Sequence, residues 1–214
     1  KSLCYQLPAL GALRFTIVYL APLGQDVMYS NEKCEIGRNF ADKIWNAGRF
    51  LLMNKEVLEM EGKRPIPGPQ SPDRFLDLAD RWILSRLHST ILELHRTLES
   101  FEINHATKIL YDFVWHDFCD WFVEMVKGRL YGDEPLEAKQ AVLNRALDVF
   151  DQSLRLLHPF MPFLTEELWQ HLSARKPGES IMVAPFPAAD MKWIDTNTER
   201  EMAFPLRRQS LNPN

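Results

Sequence analysis

Residues Gly37–Phe50 read GRNFADKIWNAGRF. At the helical step of about 100° per residue this stretch makes a helix with distinct faces. Phe40, Ile44, Ala47 and Leu51 stand at i, i+4, i+7 and i+11, the spacing of a core stripe. Asn39, Lys43, Asn46 and Phe50 repeat that spacing on the neighbouring flank, and Arg38, Asp42, Trp45 and Arg49 complete the solvent side. The second stripe carries two amides, an ammonium and a large ring. Amides pair with base edges, cations with phosphates, and an exposed ring stacks on an unpaired base. One helix therefore offers a core face and a face suited to reading single-stranded RNA. The same flank is also readable as ordinary helix solvation, with its aromatic packed on a neighbour.

Outward from this helix the chain reads as a series of amphipathic helices. A short helix over Leu10–Leu20 precedes it and is ended by Ala21-Pro22-Leu23-Gly24. Ser30 is the expected N-cap of the second helix, which should run to about Asn54. Residues 62–73, GKRPIPGPQSPD, should form an exposed connector, because proline denies helical hydrogen bonds. A third helix is expected from about Asp77 to Ser100, with Asp80 in its first turn. The fourth spans about Asn104–Val126, with Leu110, Phe113, Val114, Phe118, Trp121 and Met125 at three- and four-residue steps. A fifth begins near Pro135, a residue suited to the first turn. Pro159 and Pro162 break the chain, and Thr165 is the expected cap of a sixth helix. Ser180–Pro187, SIMVAPFP, is apolar and proline-ended, so it reads as a strand-like or extended edge segment. Long helices on short loops predict an all-α, elongated antiparallel bundle. The expected divisions are residues 1–29 as a linker and connecting helix, 30–175 as the bundle, and 176–214 as an extended segment and tail.

Composition bounds the function. The 214 residues are 46% hydrophobic and 25% charged, ordinary for a soluble domain. A net charge of −4 argues against non-specific coating of nucleic acid, which rests on many lysine and arginine contacts to phosphate. It leaves room for a local basic patch. Cys4, Cys34 and Cys119 are dispersed and odd in number, so neither a disulfide framework nor a CxxC metal site is expected. Reduced thiols suit a cytoplasmic protein. No apolar run approaches the roughly 20 residues that span a bilayer.

Within WHDFCDW (residues 115–121), His116 and Cys119 stand three apart, too few ligands for zinc. Asp117 projects between Leu110, Phe113 and Trp121 on an apolar face. A buried carboxylate needs a cation, and Arg14, Arg38 and Arg81 are the candidates for a structural ion pair. His158 is expected at a helix C-terminus, and Glu166 and Glu167 in a first turn, where the helix dipole favours each. No GxSxG, P-loop, GxGxxG or HExxH motif is present, so no catalytic residue is assigned.

Several local patterns resemble one family. GQDVMYSNEKCEIGRNFADKIWNAGRF (24–50), ADRWILSRL (79–87), YDFVWHDFCDWFVEMVKGRL (111–130), LHPFMPFLTEELWQHL (157–172) and SIMVAPFP resemble the region after the catalytic domain of valyl-tRNA synthetases. These are class I aminoacyl-tRNA synthetases. The resemblance covers about Gly11–Pro187 and continues weakly through TEREMAF (198–204). HPFMPFLTEELW is shared with the isoleucyl and leucyl enzymes, whereas NFADKIWNAGRF and WHDFCDWFVE are nearer the valyl form. The resemblance implies an anticodon-binding bundle that docks the anticodon stem-loop of tRNA-Val and partners the catalytic domain of the same enzyme, as a monomer. It implies that Lys43, Arg49 and Phe50 match positions tied to the anticodon loop, with Phe50 stacking on a base. Asn46, Asn39 and Arg38 lie nearby on the helical projection. ATP and magnesium belong, on this resemblance, to the full enzyme and not to this chain. Lys1-Ser2-Leu3 is similar to the end of the KMSKS loop, but CYQLPAL (4–10) replaces the family's spacer, so neither Lys1 nor Ser2 is given an ATP role. The alternatives are the equivalent domain of an isoleucyl or leucyl enzyme, or a helical protein-interaction domain with no RNA role.

Overall fold

Ser30 opens the longest helix, α2 (Asn31–Met60), its hydroxyl accepting the Lys33 amide at 3.3 Å. The computed structural model describes residues 3–21, 24, 30–62 and 76–210. The proline-rich connector, apart from Gly62, lies outside them, as do Lys1, Ser2, Pro22 and Leu23. Helix α1 (Leu3–Leu20) precedes α2. It is followed by α3 (Leu78–Glu99), α4 (Ile103–Asp112), a π-helical segment (Phe113–Phe122) and α5 (Val123–Tyr131). Then come α6 (Leu136–Leu157), α7 (Pro162–Leu172) and α8 (Thr196–Ser210). The fold is an all-α bundle.

The caps follow the sequence closely at α3. Asp77 accepts the Asp80 amide at 2.8 Å, and Asp80 returns the bond from the Asp77 amide at 3.2 Å, a reciprocal capping box. Pro135 is the N-cap of α6. Phe40, Ile44, Ala47 and Leu51 are all buried, as their spacing predicts. They join one core that takes in Phe15 of α1, Leu87 and Ile91 of α3, Phe118, Phe150 of α6, Leu168 of α7 and Met202 of α8. Two glycines on α2 permit this closeness. A Cβ on Gly48 would stand 2.8 Å from the Leu168 side chain, and one on Gly37 would collide with the Ala12 carbonyl and Thr16 of α1.

Helix α1 begins at Leu3, ahead of the expected Leu10, and Glu166 and Glu167 lie beyond the first turn of α7. Five further sequence expectations change in the structure. The rod from Ile103 to Tyr131 is not α-helical throughout. Between Phe113 and Phe122 it widens into a π-helix, and the Val123 amide donates to the Phe118 carbonyl five residues back. Phe113, Phe118 and Val123, at five-residue steps, are buried, while Trp121 and Met125 are half-buried at the core's edge. Thr165 does not cap α7. Pro162 takes the first position, and Thr165 donates back to the Met161 carbonyl at 3.0 Å from within the helix. Helix α2 runs six residues beyond Asn54. Ser180–Pro187 forms no strand; it holds a single 3₁₀ turn (Ile181–Val183) and an irregular path beyond. The stretch from Thr196 is helical. Asp195 supplies its start by accepting the amides of Asn197 at 2.9 Å and Thr198 at 3.2 Å. No helix among the described residues is long and apolar enough to cross a membrane.

Candidate functional site

The seam between α2 and the π–α5 rod holds a pocket of about 240 Å³. Lys43, Asn46, Ala47 and Phe50 line it from α2, and Cys119, Asp120, Val123, Glu124 and Lys127 from the rod. Three residues of the predicted flank, Lys43, Asn46 and Phe50, thus meet in one cavity. Asn39, Arg38 and Arg49 are exposed on α2 but do not line it.

The charges in the pocket are paired. The Lys43 ammonium is bonded to the Asp120 carboxylate and sits 4.3 Å from the centre of the Trp115 ring. The other Asp120 oxygen lies 3.3 Å from His116 Nδ1. Across the cavity Lys127 is bonded to Glu124, and its ammonium stands 5.5 Å from the Phe50 ring centre. Two cations and two carboxylates therefore face the same small space. A phosphate would meet both carboxylates, whereas a base presents donors and acceptors that suit a mixed lining. Phe50 is half-buried, and its ring lies edge-on to Tyr131 at 6.4 Å. Trp45, expected on the solvent side, is half-buried against the core.

Sequence reasoning missed the partners from the second helix. Asp120, Glu124 and Lys127 recur at steps of four and three, the same signal that picked out the α2 flank, but the π segment hid which face of that rod met α2. Cys119 is buried against this pocket, and burial pushes its thiol up to about 12, so it stays protonated at neutral pH. No group of three or more His, Cys, Asp or Glu among the described residues could hold a metal ion.

Asp117 does form an ion pair, but none of the three expected arginines is its partner. Arg86 of α3 donates through Nε to Asp117 at 2.8 Å and reaches Glu199 of α8 at 3.5 Å. Arg38 and Arg81 are exposed, and Arg14 donates to the Pro159 carbonyl at 2.9 Å. A one-dimensional pattern could not say which helix faced Asp117. Burial raises the Asp117 carboxyl above its ordinary range, and the Arg86 guanidinium pulls it back. Ser85 adds to the clamp by bonding Glu199 and accepting the Asp195 amide at 2.8 Å. This cluster ties α8 to α3 and the π segment. His158, expected to rest on the helix dipole, caps α6 with its Nδ1 2.7 Å from the Thr165 hydroxyl.

Comparison with known proteins adds a family to this geometry. Residues 80–210 match the family described as the anticodon-binding domain of tRNA ligase. The chain is 40% identical over 204 residues to a valine–tRNA ligase of Chlorobaculum tepidum, covering 94% of this chain and 22% of that protein. It is 44% identical over 191 residues to a valine–tRNA ligase of Bacillus licheniformis, covering 89% and 21%. The chain therefore spans about a fifth of the length of the curated relatives it matches. Among solved structures, the crystal structure of the ternary complex of Agrobacterium radiobacter K84 agnB2 LeuRS-tRNA-LeuAMS shares its fold. That match has a TM-score of 0.63 at 15% identity, over 91% of this chain and 21% of that one.

Proposed function

Because the chain belongs to the anticodon-binding domain family of tRNA ligases, we propose that the α2–α5 pocket receives an unpaired base of a tRNA anticodon loop. The observation that carries the reading is the meeting of Lys43, Asn46 and Phe50 in one cavity whose charges are already balanced. In this reading Phe50 stacks on the base. Lys43 and Asp120 offer a donor and an acceptor to its edge, and Asn46 offers both. Arg49, Arg38 and Asn39, exposed along the same helix, meet the phosphates and sugars that lead the strand in. The identity to valine–tRNA ligases supports tRNA-Val as the RNA. The reaction itself, with its ATP and magnesium, belongs in this reading to the rest of a longer ligase, and no residue here is assigned to it. A cytoplasmic, monomeric setting goes with the same proposal.

The test is a fluorescence anisotropy titration with the anticodon stem-loop of tRNA-Val at fixed salt. Phe50→Ala should weaken binding by about 5- to 150-fold, the range for losing one base–aromatic stack. Equal affinity for the variant and the parent chain would remove Phe50 from the reading.

A further inference from the structure

The pocket is one part of a longer seam. Along α2, its lining residues Lys43, Asn46, Ala47 and Phe50 are followed by Met53, Asn54, Val57, Leu58 and Glu61. These line a second cavity of about 160 Å³. On the rod, Cys119, Asp120, Val123, Glu124 and Lys127 are followed in the same way by Leu130 and Tyr131, with Lys139 of α6 closing the far side. From Lys43 to Glu61 the groove runs for about 27 Å at the helical rise of 1.5 Å per residue.

The two cavities meet at a pair of rings. Tyr131 is 71% exposed, so it is an accessible stacking surface and not a core side chain. Its plane is turned 77° from that of Phe50. Asn54 ties the junction together, donating to the Phe50 carbonyl at 2.8 Å and lying 3.5 Å from the Tyr131 hydroxyl. Leu58 and Leu130, both buried, and Met53 and Val57, 59% and 52% exposed, give the second cavity an apolar lining, and Glu61 and Lys139 give it one acceptor and one donor. That mixture suits a flat, apolar-faced ring with polar edges, as the first cavity does.

We propose that this second cavity is a subsite for another unpaired base of the same loop, stacked on Tyr131. The inference rests on the reading of the first pocket. The near-perpendicular rings add a constraint. Bases held on both would have their planes turned sharply from one another, so the strand must bend between them. A regular stacked helix cannot do this, and a splayed loop can. The first cavity needs little rearrangement, because Lys127, over the Phe50 ring, is held there by one surface ion pair and is cheap to displace.

The experiment uses the whole chain and the tRNA-Val anticodon stem-loop, with 2-aminopurine placed at each loop position in turn. Tyr131→Ala should weaken binding by about 5- to 150-fold, while Tyr131→Phe, which keeps the ring, should stay within about twofold. At one loop position the 2-aminopurine quenching should be relieved by Tyr131→Ala, and at a different position by Phe50→Ala. If Tyr131→Ala binds as the parent does while Phe50→Ala is weakened, the second subsite is overturned and the first reading stands. If both variants bind as the parent does, the reading of the first pocket fails, and the second with it. Tyr131 is exposed at the end of α5, so its replacement leaves the core intact, and an unchanged melting temperature checks this.

Discussion

Lys43–Asp120 and Arg129–Asp80 are both lysine- or arginine-to-carboxylate pairs that join separate elements, yet water reaches them very differently. The first pair is 26% and 37% exposed and borders a cavity. In the second, Asp80 is 1% exposed; Arg129 meets it at 2.8 Å, and Arg145 stands 3.8 Å away on its other side. Asp80 also completes the α3 capping box, and Arg129 reaches Asp77 at 3.0 Å and Glu134 at 3.3 Å. The buried node locks the start of α3 to α5 and α6. The exposed pair can open at little cost and exchange its partner for a ligand. Burial thus separates a pair that holds the fold from a pair that can serve recognition.

The sharpest way to break this contrast is Arg129→Met. It leaves a buried carboxylate short of its main cation and should destabilise the chain by about 3–5 kcal/mol in urea denaturation, toward the lower end because Arg145 remains. A loss under about 1 kcal/mol would place Asp80 among the exposed pairs. A second test uses pH. Burial, with Asp77 adding, raises the Asp80 carboxyl to about 6, against the pull of Arg129. A carboxyl raised in the folded state binds its proton more tightly there than in the unfolded chain, so its contribution to stability falls as pH rises from about 4 to about 6. The stability of the parent chain relative to Asp80→Asn should therefore decline over that window and level off above it. A difference that grows with pH would contradict the assignment. The smallest effect is expected at Lys43→Ala, which loses an exposed pair and a ring contact and should change stability by no more than about 1 kcal/mol. A larger loss would make Lys43 a structural residue first.

The same contrast explains what the sequence disclosed. Phe40, Ile44, Ala47 and Leu51 were legible because an α-helix against a core obeys one period. Ser30 was legible as a cap because capping is local, and Asp77 only as the place where α3 starts. Lys43, Asn46 and Phe50 could be placed on one flank for the same reason. The face they meet was not legible. Asp120, Glu124 and Lys127 lie in or beyond a π segment whose different period rotates every later side chain of the rod. Arg86 was passed over for Asp117 because pairing across helices depends on which faces meet, and Tyr131 because nothing local marks a stacking ring. Thr165 shows the opposite failure: a good cap residue was displaced by Pro162, which fixes the helix start by its own geometry.

The π segment also sets how this chain can change by insertion and deletion. Substitutions along α5 alter one side chain at a time. Loss of a single residue between Phe113 and Phe122 can be absorbed as the wide spacing closes to α-helical spacing, which leaves α5 in place, whereas closing it with no residue lost would rotate α5 by about 100°. Val123, Glu124, Lys127 and Tyr131 would leave the groove together, though none of them had been altered. The reading frame of the groove is thus stored in this irregular segment of ten residues.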